Sequence, residues 1–159
     1  MIKGAVISKD QKYRYRLWRI WDEAKPLIVF VGLNPSTADA EVDDPTIRKC
    51  INYAAQWGYG GLYMLNLFAY RATDPKDLLA AIDPIGPQNN RHITNVIKVT
   101  DKTILAWGNL GKHKQRAAAV MQFFNSPYCL KVNQSGSPSH PLYLRKSIIP
   151  ILYSQGEES

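Results

Sequence analysis

LIVFVGLNPSTADAEVDDPTIRKC, residues 27–50, runs from an apolar stretch through a loop into a capped amphipathic segment. Leu27 to Gly32 is β-branched and apolar without alternation, which predicts a strand covered on both faces. Asp44-Pro45 predicts a helix start, with Asp as N-cap and Pro at the first helical position. Ile47, Cys50, Ile51 and Ala54 then recur at helical spacing, and Gly58 stops the segment. Strand, loop and helix in this order form the repeating unit of a parallel α/β sheet.

The unit repeats downstream. Leu62 to Phe68 (LYMLNLF) reads as a second buried strand, and Asp74-Pro75 repeats the cap before Leu78, Leu79 and Ile82. A helix is predicted over Asn89 to Lys98 with Ile93, Val96 and Ile97 inward, followed by a strand at Thr103 to Trp107. Lys112 to Phe124 reads as a helix and Tyr128 to Val132 as a last strand. Leu142 to Tyr153 is apolar without clear period, and Pro150 breaks any helix there. Upstream, Tyr13, Tyr15 and Leu17 alternate with Lys12, Arg14 and Arg16, predicting a strand that pairs with Ala5 to Ile7 at a sheet edge, basic residues outward. The expectation is one domain over residues 1–159: an N-terminal β-hairpin extension (1–25), an α/β core (26–153) and a polar tail (154–159). The core is expected to be a three-layer α/β/α sandwich around a central four-stranded parallel sheet.

Composition supports an ordinary globular chain. Hydrophobic residues make up 45% and charged residues 21% of 159, which excludes intrinsic disorder. The longest apolar run, Pro26 to Leu33, is far short of the ~20 residues that span a bilayer. Met1-Ile2-Lys3-Gly4 does not begin a signal peptide, and two cysteines, Cys50 and Cys129, cannot build a disulfide framework. A cytoplasmic protein with no membrane association is expected. The net charge is +7, and Pro84 to Gly156 holds nine Lys or Arg against one acid, Asp101. Such a balance favours polyanions: DNA, RNA or a nucleotide. Arg91, Lys98, Lys112, Lys114, Arg116, Lys131 and Arg145 would supply the basic face.

In parallel α/β sheets ligands bind beyond the carboxyl ends of the strands, so the segments after each strand carry the candidate chemistry. In the first, Gly32 permits close approach, Asn34 can orient a water or a polar substrate, Pro35 rigidifies the turn, and Ser36 and Thr37 can hold phosphate. In the second, Asn66 interrupts an apolar strand, where its amide can read a nucleobase edge or cross-link a loop; Arg71 and Thr73 can contact phosphate. In the third, SGSPSHPLYL, Ser139 and His140 can follow a phosphate backbone or move a proton, and Leu142 can wedge into a base stack. The acidic run Asp39, Glu41, Asp43, Asp44 has two readings: Mg²⁺ held by Asp43 and Asp44, or a helix cap beside solvated carboxylates. His92 and His113 lack partners at metal-ligand spacing, so zinc is not expected.

GLNPSTADAEVDDPTIRKC, NLFAYRATDPKDL and HPLYL together resemble an uncharacterised bacterial and phage domain-of-unknown-function family over roughly Pro26 to Pro150. The motif order is also distantly similar to the uracil-DNA glycosylase superfamily. GLNPS resembles the GINPG motif of its mismatch-specific branch, MLNLFAYRAT its LLLN strand, and SHPLYL its closing His-Pro-Ser loop. That resemblance implies a glycosylase-like fold. It also implies that Asn34 positions the attacking water, Asn66 reads the base, and His140 stabilises the departing base's oxygen. The function expected is nucleobase, nucleotide or nucleic-acid recognition extending to N-glycosidic hydrolysis, with no cofactor. The alternatives are a Mg²⁺-dependent nucleotide- or phosphoester-processing enzyme using Asp43 and Asp44, and a noncatalytic nucleic-acid-binding module.

Overall fold

The computed structural model describes residues 1–154, so the tail expected over 154–159 lies, Ser154 apart, outside the described residues. The chain forms β1 (Ile2–Ile7), β2 (Arg14–Ile20), β3 (Leu27–Gly32), α1 (Pro45–Gln56), β4 (Gly61–Asn66), α2 (Pro75–Ala80), α3 (Asn89–Ile97), β5 (Lys102–Leu105), a 3-10 segment (Asn109–Gln115), α4 (Arg116–Met121), β6 (Tyr128–Cys129) and β7 (Ile151–Leu152). All seven strands join one mixed sheet in the order β1-β2-β4-β3-β5-β6-β7. β3 pairs in parallel with β4 and β5, and β5 with β6. Antiparallel pairs flank them, β1-β2 and β2-β4 on one side and β6-β7 on the other.

β3 is the middle of the sheet, as its sequence demands: Ile28, Val29, Phe30 and Val31 are fully buried. Val29 and Val31 pack with Leu65, Leu105, Ile93, Val96 and Val120, so α3 and α4 cover one face. Ile28 and Phe30 pack with Leu62, Met64, Ile47, Cys50 and Tyr53, so α1 covers the other. Each such side chain contributes ~1.5–3 kcal/mol by leaving water. Both cysteines lie free in this interior, where burial pushes their thiols up, Cys129 to about 11. Asp44 caps α1 as its sequence predicts, its side chain accepting from Ile47 N, and Gly58 follows the helix at φ +89°.

The hairpin lies at the edge of the sheet, with β2 paired along Leu17 to Ile20 to β4. Two expectations are corrected. The basic residues of the hairpin do not all face outward: Arg14 and Arg19 are buried, and Arg16 donates Nε–H to His92 Nδ1 at 2.8 Å. The helix expected over 112–124 is a 3-10 segment and the short α4, because Lys114 and Gln115 both adopt positive φ, 53° and 56°. Ile82, which follows Leu78 and Leu79 after the Asp74-Pro75 cap, is 98% exposed beyond the end of α2. Among the described residues no helix is long and apolar enough to cross a membrane.

Candidate functional site

β3 and β4 run parallel and end together, with Gly32 opposite Asn66. Beyond that pair lies a cavity of about 180 Å³. It is small beside the ~300–1,000 Å³ of drug-sized ligand sites and suits one ring or one small oxyanion. Gly32, Asn34, Pro35 and Ser36 line it from the β3 end, Asn66 and Thr73 from the β4 side, and His140 from the closing segment. Asp44 at the α1 cap and Arg14 at the start of β2 complete the wall. A larger cavity, about 520 Å³, opens between Trp107 and the Val132–Ser137 loop, and Lys112 is its one charged wall residue among those described.

Each of the three central side chains is held by partners of a single polarity, which fixes what it offers the cavity. Asn34 Nδ2 donates to Ala72 O at 2.8 Å and Pro35 O at 3.0 Å, with Tyr70 O at 3.5 Å. Carbonyls only accept, so the amide orientation is set and Oδ1 is left as an acceptor. Asn66 Oδ1 accepts from Arg14 Nη2 at 3.1 Å; a guanidinium only donates, so Asn66 Nδ2 is left as a donor. That Nδ2 lies 3.0 Å from where a Cβ on Gly32 would sit, so a side chain at the residue opposite would crowd the amide. His140 Nδ1 accepts from Leu142 N at 3.2 Å, so the proton of the neutral ring is on Nε2. Loss of hydration lowers His140 below its ordinary 6.5, opposed in part by the Asp44 carboxylate, and the ring is neutral at pH 7. These three side chains thus offer one acceptor and two donors.

Arg14 is the residue that sequence reasoning missed. It is 2% exposed, donates Nη1–H to Ala38 O at 3.2 Å, and leaves Nε without a partner. No carboxylate of the described residues approaches its guanidinium within 4.0 Å. Burial lowers it to about 10 while Asp44 opposes the shift, so it remains a cation. The alternation of Lys12, Arg14 and Arg16 mimicked a solvent face; the signal to the contrary is position, since the first residue of a strand antiparallel to β4 reaches the carboxyl end of β4.

Four candidates stand outside the cavity wall. Thr37 is exposed, and Arg71 Nη1 donates to Gln11 Oε1 at 3.2 Å. Ser139 is buried in a loop network with Asn133 Oδ1, and Leu142 contributes its backbone N–H to His140. Thr73 and Ser36 meet at the rim, Oγ1 to Oγ 3.4 Å. In the acidic run, Asp43 Oδ1 pairs with the buried Arg19 Nε at 2.8 Å, and Asp44 is the α1 cap. Asp39 Oδ1 accepts from the backbone N–H of Glu41 and Val42, which lowers its pKa. Among the described residues no three His, Cys, Asp or Glu side chains group as a metal-holding set. On the basic face, Arg116 is buried, its Nε donating to Leu67 O at 2.7 Å, while Arg91, Lys98, Lys112, Lys114, Lys131 and Arg145 are exposed.

No curated protein and no solved structure matches the chain. A family model described as "Protein of unknown function (DUF1643)" matches residues 14–142, a span that takes in Arg14, Asn34, Asn66 and His140, and the chain belongs to that family.

Proposed function

We propose that the cavity receives a nucleobase and that the protein hydrolyses the N-glycosidic bond joining it to a sugar in DNA, RNA or a nucleotide. The observation that carries this reading is the convergence of Asn34, Asn66 and His140, distant in sequence, on one ring-sized cavity at the ends of parallel strands. In the reading, the parallel strands β4, β3, β5 and β6 correspond to a uracil-DNA glycosylase-like core. N-glycosidic cleavage leaves positive charge on the sugar and negative charge on the base. Asn34 Oδ1 accepts a hydrogen bond from a water and so aims its lone pair at the sugar; as the C–N bond breaks and the C–O bond forms, the water's proton passes to solvent and the base leaves as its anion. Asn66 Nδ2–H and His140 Nε2–H donate to oxygens of the departing base. A neutral histidine suits this task, since it stabilises an anion without needing to protonate it. A base within a duplex must first leave the stack, and the basic surface holds the phosphates while it does so. No cofactor is required by this chemistry.

The test is a base-release assay on DNA and RNA carrying uracil, mismatched and modified bases, and on free nucleotides, with EDTA and with Mg²⁺. Release of free base in EDTA is the expected result. Phosphate or nucleotide products that depend on Mg²⁺ would replace this reading with phosphoester chemistry at Asp43 and Asp44. Retention of nucleic acid with no product would leave a noncatalytic binding module.

A further inference from the structure

Resting on the nucleobase reading, we infer that Arg14 fixes the class of group the site accepts: an oxygen bearing full or developing negative charge, presented to Asn66 with no N–H beside it. Two independent features of Arg14 lead there. First, its Nη2 occupies Asn66 Oδ1, so the amide cannot turn to offer an acceptor, and an incoming amino group would meet donor against donor. Second, it is a buried cation without a carboxylate partner, a state that an arriving anion relieves. Ala38 O and Asn66 Oδ1 are both neutral acceptors, and Nε has none. The strand pairing places this charge behind Asn66, and Gly32 leaves the amide's donor side uncovered.

Asp44 is the opposing charge. Its Oδ1 accepts from Ile47 N at 2.9 Å and its Oδ2 from Ala38 N at 3.4 Å, so both oxygens are occupied by α1 and the preceding loop. The other titratable group facing the ligand is His140 from the closing segment, with Arg19 and Arg71 acting on Arg14 from farther away. Arg14, at about 10, stays a cation and His140, below 6.5, stays neutral between pH ~7 and ~9, so a rise in affinity in that window belongs to the ligand.

Calorimetric titration of the whole chain with uracil, its more acidic 5-fluoro derivative, cytosine and benzoate tests the inference. Affinity for 5-fluorouracil is expected to rise about tenfold or more as its ring N–H ionises, the scale of a charge-assisted hydrogen bond. Cytosine, whose ring stays neutral across this window, is expected to show no such rise. Arg14→Met, similar in length, is expected to erase the rise for 5-fluorouracil. Asp44→Asn, which keeps an N-cap, is expected to tighten anion binding. If Arg14→Met does not fold, the wild-type pH dependence and Asp44→Asn decide. 5-Fluorouracil binding indifferent to ionisation overturns the inference and leaves the nucleobase reading. Arg14-dependent binding of benzoate with no base bound at any pH upholds the anion site and overturns the nucleobase reading. Binding of none of the four probes overturns both.

Discussion

Asn34 has a structural task as well as a chemical one. Its Nδ2 ties the loop after β3 to the carbonyls of Tyr70 and Ala72, so Asn34→Ala strands part-buried acceptors and is expected to cost ~1 kcal/mol in a denaturant melt. The turnover loss should be larger, ~10²–10³ in the folded fraction, because the lost Oδ1 acts in the transition state. Gly32→Ala separates site from scaffold more cleanly. Its Cβ would lie 2.9 Å from Met64 Cε and 3.0 Å from Asn66 Nδ2. The end of a methionine can move, whereas the amide is held by Arg14, so thermal stability should fall at the low end of the ~1–3 kcal/mol overpacking range. Base affinity should fall more steeply, as equilibrium titration of the folded variant would show. His140 adds a pH signature. Its neutral ring donates from Nε2 while Nδ1 accepts from Leu142, and protonation breaks the second contact. Since its pKa lies below 6.5, turnover should be flat above that value and decline beneath it.

β2 shows what an element can hide in its own sequence. The alternation of Tyr13, Tyr15 and Leu17 with Lys12, Arg14 and Arg16 encodes strand period but not what covers each face. The loop at Ala38 to Asp43 covers Arg14 and Arg19, and α3 covers Arg16; both lie downstream of the hairpin. His92 from α3 stacks on Tyr15 at 5.0 Å between centroids and accepts Arg16 Nε–H at 2.8 Å. Burial, then the charges of Arg16 and Arg91, lower His92 from 6.5 to about 4. The unfolded chain therefore takes up this proton first as pH drops. Stability should fall from pH 6.5 toward about 4 and this contribution should level off below. Urea melts of wild type and His92→Gln across that window check it: the variant's slope should be the shallower. By contrast, β3, α1 and the Asp44 cap were legible, because each is decided by local pattern: an unbroken β-branched run, a helical period and an Asp-Pro start. The stretch from Lys112 to Phe124 was misread for the converse reason. Its composition suits a helix, but contact with the sheet decides its path: His113 packs against Phe68, and a Cβ on Gly111 would run into the Trp107 ring.

For the whole molecule, the +7 charge overstates what a ligand meets, since Arg14, Arg19 and Arg116 are spent inside. The exposed lysines and arginines of the second half remain available to phosphates. Binding of a single-stranded oligonucleotide, followed by fluorescence anisotropy, should weaken with salt, with ~0.7 added to the log–log slope per phosphate neutralised. A slope of zero would confine the substrate to a free nucleoside or base. The candidate site was legible as strand-end residues, because a parallel sheet gathers those ends wherever they occur in the chain. Arg14 enters from an antiparallel flank, and no strand-end rule of the parallel unit points to it. The measurement that bears most directly on the cavity's role is single-turnover base release in EDTA by wild type and Asn34→Ala, with melts of both proteins alongside. Release by wild type, slowed ~10²–10³ in folded Asn34→Ala with substrate binding retained, is the result this account predicts. Equal rates in the two folded proteins, or no release from any base-bearing substrate, would contradict it.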